Sequence, residues 1–425
     1  MHSAFRHRAF RRSPFRHRAS RRRITAAAAT VLMIAAGAGA AAATAAPAAA
    51  RTAAPHATFK PPRIKHVWVI LLENESFGFT FGAGGKKEAP FLARTLPSRG
   101  ALLTQYFGIG HHSLDNYIAL ASGQAPDIQT GKDCKTFSDF TVAQMGPFTG
   151  TTSLGQVPGD GCVYPTSVKT VGNQLSGKGL TWKAYEQAMG VNPARDGTTP
   201  TSHGPACGHP PVGSADLTQV QHPANDSYAT RHDPFVYFHS VIDSQSYCNA
   251  HVVSLSPLAG NLKHTATTPN YSFITPDTCA DGHDDPCTNG QKGGLVKANA
   301  FLKTWIPRIT NSPAYKANGL IIVTFDESES LSDSTACCGE KVSTGNTDPS
   351  HPNADKPGIQ GPGGGRVGAV LLSPFIRPGT HSAVAYNQYS LLRSVEDLFG
   401  LSHLGDARQA QVHSFGRDVY TRPQG

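Results

Sequence analysis

The chain has 425 residues, 39% hydrophobic and 16% charged, with 43 Gly and 31 Pro, a balance that excludes a disordered polyampholyte and a coiled coil and allows a large buried core. The formal net charge of +9 points at first to nucleic acid or an anionic surface. The first 50 residues account for it: they hold nine arginines and no lysine or acid, so 29 of the 38 Lys and Arg remain against 29 Asp and Glu, and no nucleic-acid partner is expected.

Residues 1–23 are basic, residues 25–46 are Ala-rich and apolar, and small residues follow to Ala50, the three-part layout of an export signal. Ser20-Arg21-Arg22-Arg23-Ile24 resembles the twin-arginine signal, which places the chain outside a bacterial cytoplasm. The apolar part is long enough for a membrane anchor. Its Ala and Gly content and its Ala-x-Ala sites favour cleavage instead, so residues 1–50 are expected to be removed, leaving a secreted protein without a stable anchor. Residues 51–63, rich in Ala and Pro, read as a linker to a domain over 64–425.

Within that domain, residues 67–72 (VWVILL) are continuously apolar, the pattern of a strand buried on both faces of a parallel sheet. The run stops at Glu73-Asn74. Similar runs stop at Asp326-Glu327 and at Ser373-Pro374, and a shorter one at Thr275-Pro276. In open α/β sheets ligands sit beyond the carboxyl ends of the strands, so four strands are expected to deliver polar residues to one edge. Helical spacing appears over 114–121, 294–309 and 391–399. Alternating strands and helices predict an α/β fold, a three-layer α/β/α sandwich around a mostly parallel sheet. Residues 124–265, rich in Gly, Pro, His and Cys with weak periodicity apart from 171–185, read as a long irregular insertion or cap. The eight cysteines all follow the leader, which favours disulfides over metal thiolates. Cys279 and Cys287 are the first pair expected, and Cys337-Cys338 form either a vicinal bridge or bonds to separate partners.

Three clusters carry chemistry. Glu73-Asn74 and Asp326-Glu327 bring three carboxylates and an amide oxygen to one edge, where they repel one another unless a cation neutralises them. In GHHSLDNYIALASG (110–123), Ser113 opens a helix beside His111 and His112. A helix N-terminus suits both a bound phosphate and an alkoxide-like oxygen, whereas the simpler role of such a serine is to cap the helix. In NYSFITPDTCADGHDDPC (270–287) a strand leads to Asp281, His283, Asp284 and Asp285, where His283 can act as an acid or a ligand. His232 in RHDPFVYFHS can also face the site, with a structural histidine the simpler role.

These segments, in order, resemble the phosphoesterase family of the alkaline-phosphatase superfamily, which includes bacterial phospholipases C and secreted acid phosphatases. The resemblance rests on ENESFGFTFG, GHHSLDNYIALASG, TPDTCADGHD, IIVTFDESES, GGGRVGAVLLSPFIRPG and YNQYSLLRSVEDLFGL, and runs from about His66 to Leu401. It implies the superfamily's α/β/α sandwich, with Glu73, Asn74, Asp326 and Glu327 as metal ligands and Ser113 as nucleophile. His111, Asn116 and His283 are implied as the groups that hold and protonate phosphate oxygens. Gly78 stands where many relatives have Asp, Gln388 where many have His, and Asp115 replaces a proline common in the phospholipase-like branch.

The expectation is a metal-dependent phosphoric ester hydrolase with a phosphoseryl intermediate, acid-phosphatase-like on monoesters. Oxygen ligands favour Ca²⁺, Mg²⁺ or Mn²⁺, with Zn²⁺ admitted if histidine joins. The alternatives are phospholipase C action on lipid head groups and a non-catalytic exported metal-binding protein. Oligomeric state is not legible in the sequence.

Overall fold

The computed structural model describes residues 59–142, 155–157, 159–340 and 363–422. The expected export segment and most of the linker lie outside the described residues. Ten strands form the central sheet: β1 (His66–Leu72), β2 (Ala101–Leu103), β3 (Trp182–Glu186), β4 (Thr199–Thr201), β5 (Gly204–Ala206), β6 (Val252–Ser254), β7 (Tyr271–Thr275), β8 (Gly319–Phe325), β9 (Ala369–Leu372) and β10 (Thr380–Ser382). Their order across the sheet is β10-β2-β9-β8-β1-β7-β3-β6-β5-β4.

The centre of the sheet follows from its sequence. Every residue of β1 and β8 is buried, as continuous β-branched and apolar runs require when strands are covered on both faces. β8, β1, β7, β3 and β6 run parallel, so their carboxyl ends share one edge. Leu72 pairs with Phe325, which makes Glu73 and Asp326 the next residues out on adjacent strands. The α/β class with a mixed, mostly parallel sheet is therefore as the sequence pattern indicates.

One strand departs from expectation. β9 runs antiparallel to β8, with Ile321 opposite Leu372, so Ser373-Pro374 emerges at the opposite edge from Glu73. There the Ser373 hydroxyl donates to the carbonyl of Gly319, the first residue of β8, at 2.7 Å. A fully buried strand reads alike in either direction, because burial on both faces erases any directional pattern.

Helix α1 (Ser113–Ser122) packs with α3 (Gln388–Phe399), whereas α2 (Gly294–Asn311) packs with the following helix Pro313–Asn318 and with Phe91–Thr95. α1 and α3 end on Gly123 and Gly400, both in the left-handed conformation that glycine adopts at least cost. The stretch 124–265 is largely irregular, yet β3, β4, β5 and β6 come from it, and all but β4 lie inside the sheet. All eight cysteines are paired, as Cys134–Cys162, Cys207–Cys248, Cys279–Cys287 and Cys337–Cys338. Among the described residues no helix is long and apolar enough to cross a membrane.

Candidate active site

At the shared edge the chain leaves β1 through Asn74, whose φ of 56° is left-handed, a region that Asn tolerates better than most residues. This turn aims its backbone N–H at Asp326 Oδ1, 2.9 Å away. The loop after β7 closes on the same place: the Glu73 N–H donates to the Asp281 carbonyl at 3.0 Å. Gly282, at φ +118°, lies so close that a side chain there would come 2.7 Å from the Glu73 carbonyl. Gly108 likewise leaves room for the Asp326 carbonyl.

Glu73 is fully buried. Its Oε2 accepts from Ser113 Oγ at 2.8 Å and from Asn74 Nδ2 at 3.1 Å, and its Oε1 accepts from the Tyr117 hydroxyl at 2.5 Å. Ser113 is the first residue of α1, and the cap position is taken by His112. The serine hydroxyl is thus released from capping and turned to the acid. Tyr117, one helical turn on, stacks on the His232 ring. The expected cluster of Ser113 with Glu73, Asn74 and Asp326 is brought together here.

His232 and Asp281 join it. His232 Nε2 lies 3.4 Å from Glu73 Oε2 and its Nδ1 3.3 Å from Asp281 Oδ2. Ligand atoms of Glu73, His232 and Asp281 all lie within 4.8 Å of one another. The sequence admits His232 at the site but favours a structural role, and the residue lies in a short turn, Thr230–His232. The one usable signal was its place between charged residues in RHDPF.

The remaining expected residues have other partners. Glu327, expected as a metal ligand, turns to His111, with Oε2 2.6 Å from Nδ1, while His111 Nε2 donates to the Asp333 carbonyl at 3.0 Å. Burial, followed by Asp326, Asp115 and Asp133, pushes the Glu327 carboxyl well up, and burial pulls the His111 imidazole down. The Asn116 amide is used up by the preceding turn: Oδ1 accepts from the N–H groups of Ile109 and Gly110, and Nδ2 donates to the carbonyls of Gly110 and His112. His283 is held through Nδ1 by Asp284 Oδ1 at 2.8 Å. A carboxylate partner places the proton on Nδ1 and leaves Nε2 for chemistry. Gln388, where many relatives have His, donates to the carbonyls of Phe325 and Asp326 and accepts from the Tyr106 hydroxyl, so it braces the end of β8.

The cluster is electrostatically incomplete. Burial, Asp326 and Asp281 together push the Glu73 carboxyl well up. Asp326 rises to about 6, chiefly from burial, against the hydrogen bond from Asn74. Asp281 also rises, with burial the main cause and Asp277 next. Asp326 Oδ2, Asp281 Oδ2 and both nitrogens of His232 are buried without a hydrogen bond among the described residues. A neutral imidazole has one bare nitrogen, so with both carboxyls ionised at least one of its two contacts sets lone pair against lone pair. A divalent cation between them relieves the conflict at Glu73, His232 and Asp281, whose ligand atoms fit one.

A model of the phosphoesterase family matches residues 85–402. The chain belongs to that family. The matched stretch takes in Ser113, His232, Asp281 and Asp326, with Glu73 just ahead of it. The chain is 22% identical over 344 residues to a probable acid phosphatase of Kluyveromyces lactis, covering 80% of this chain and 59% of the relative. It is 23% identical over 313 residues to an acid phosphatase of Aspergillus fumigatus, covering 73% and 51%. The chain therefore spans between half and three fifths of the length of these relatives. Among solved structures it is similar to a protein in the alkaline phosphatase superfamily from Vibrio parahaemolyticus, with 13% identity, a TM-score of 0.43 and coverage of 86% of this chain and 73% of that one. It is also similar to the lipoteichoic acid synthase LtaP from Listeria monocytogenes, with 11% identity, a TM-score of 0.43 and coverage of 85% and 79%.

Proposed function

We propose that this phosphoesterase is a secreted, metal-dependent phosphatase that hydrolyses phosphate monoesters through a phosphoseryl intermediate on Ser113. The observation that carries the reading is the Ser113 hydroxyl, 2.8 Å from a buried carboxylate at the first residue of a helix. Free N–H groups and the positive end of the helix favour an incoming phosphate. The hydroxyl proton already points to Glu73 Oε2, which suits Oγ to attack phosphorus.

His283, entering the step protonated at both nitrogens with its Nδ1–H held by Asp284, then gives its Nε2 proton to the departing alcohol. In the second half the same nitrogen takes a proton from the water that cleaves the phosphoserine, as microscopic reversibility requires. His111 and Asn116 hold the turn that presents Ser113. A divalent cation held by Glu73, His232, Asp281 and Asp326 would neutralise charge developing on the phosphoryl oxygens. The carboxylates suit Mg²⁺, Mn²⁺ or Ca²⁺, and the histidine admits Zn²⁺. Export by the twin-arginine route is supported by the leader and by the four disulfides.

A panel of phosphate mono- and diesters, assayed with metal-stripped and reconstituted protein, tests this reading. Release of phosphate from 4-nitrophenyl phosphate only after reconstitution is expected. Equal activity of the stripped protein would overturn the metal dependence, and no hydrolysis of any ester would overturn the activity.

Leu217 and Val220, 60% and 66% exposed, favour a second reading, phospholipase C action, because the adjoining Gln221 donates to Asp284 beside His283. Release of phosphocholine from lecithin in preference to phosphate from the nitrophenyl ester would select it.

A further inference from the structure

A cavity of about 600 Å³ opens beside the candidate site, sharing Asn74 and His283 with it. Its walls carry Glu75, Glu88, Asp285 and Glu329 together with the ring of Phe79, and no Lys or Arg lines it among the described residues. Only one of these acids has a cationic partner: Lys292 Nζ meets Glu88 Oε1 at 2.8 Å. Glu329 accepts from the backbone and hydroxyl of Ser76, and Asp285 Oδ1 accepts from the Gly293 N–H, all neutral donors. Glu75 is the most telling. It is 8% exposed and lines the cavity, yet its carboxylate has no hydrogen bond or ion pair among the described residues.

A carboxylate without a protein partner that faces an acid-lined space favours a positive ligand over a neutral or negative one. A single metal ion is the poorer match, because the only set of ligand atoms within 4.8 Å of one another among the described residues is Glu73, His232 and Asp281. The space is also far larger than an ion needs. Phe79, 41% exposed, offers an aromatic face of the kind that binds organic ammonium groups.

Building on the phosphatase reading, we infer that this cavity is the subsite for the alcohol portion of the substrate, and that it selects phosphate esters whose alcohol carries an ammonium group. The same negative lining discriminates against esters with a second anionic group.

The test compares kcat/KM for phosphocholine with that for 3,3-dimethylbutyl phosphate, its neutral isostere, at low salt, with 4-nitrophenyl phosphate assayed in the same preparations. Phosphocholine should be favoured about tenfold, and the preference should shrink in high salt. The ratio should fall toward one in both Glu75→Gln and Glu88→Gln. Because it is taken within each protein, general losses of folding or chemistry cancel. Hydrolysis of the nitrophenyl ester with no preference between the two alkyl esters would overturn the subsite and leave the phosphatase reading standing. A preference unchanged in both variants would also overturn it. Failure to hydrolyse any ester would overturn the phosphatase reading, and the subsite with it. Titration with Mg²⁺ alone that reveals a second tight site lost in Glu88→Gln would replace the organic ligand by an inorganic one and overturn the inference.

Discussion

The backbone N–H of Asn74 and the carboxylate of Asp326 are joined at 2.9 Å across 252 positions of sequence. The bond exists because Asn74 holds a left-handed φ of 56°, which turns the N–H sideways off the end of β1 and toward β8.

Substitution at Asn74 tests that turn. Asn74→Gly keeps access to the conformation, whereas Asn74→Val forces a β-branched residue into it. We expect the valine variant to be less stable than the glycine variant by about 1–3 kcal/mol in urea unfolding. Equal stability of the two would show that the turn carries no conformational demand.

Ser113→Ala should reduce turnover of 4-nitrophenyl phosphate by about 10⁴-fold or more. Its unfolding free energy should change by no more than about 1 kcal/mol, because the hydroxyl makes one hydrogen bond and does not cap the helix. Retained turnover would remove Ser113 from the reaction.

The ligand set that the geometry favours differs from the one that the motifs imply, and calorimetric titration with Mn²⁺ separates them. His232→Ala and Asp281→Asn should each weaken binding at least about tenfold, equivalent to about 1.4 kcal/mol. Glu327→Gln should leave affinity nearly unchanged, since Glu327 faces His111. The reverse pattern would restore Glu327 as a ligand in place of His232 and Asp281.

Glu396 in α3 has an ordinary value near 4.5 and is pushed up to about 9, chiefly by burial and then by Asp397, against the hydrogen bond from Leu404 N–H. Between those values the folded protein keeps a proton that the unfolded chain has released. Stability attributable to this group therefore falls as pH rises from about 4.5 to about 9, by at most about 1.4 kcal/mol per unit. Glu396→Gln should flatten that decline in urea midpoints measured from pH 5 to 8. An unchanged slope would show that the group is already ionised in the fold.

What could be read from the sequence was set by local pattern. The buried runs ending at Glu73 and Asp326 announce their strands and the acids at their tips, and Ser113 announces α1. The orientation of β9 was not legible, because a strand covered on both faces has no directional signature. The sequence allowed His232 to face the site but favoured a structural role, because its neighbours are fixed by the long-range packing of Tyr117 and by the loop after β7. Glu327 looked equivalent to Asp326 as its sequence neighbour, but successive residues leaving a strand diverge, and one faces Asn74 while the other faces His111.

The bridge between Cys279 and Cys287 encloses Asp281, His283 and Asp284. A covalent tie around so short a segment constrains the unfolded chain less than the longer loops closed by Cys134–Cys162 and Cys207–Cys248 do. It instead decouples the precision of this loop from the resilience of the scaffold. Replacing both cysteines by serine should reduce turnover of 4-nitrophenyl phosphate more than it lowers the melting point, so that closing this one bond acts as a final assembly step for the loop.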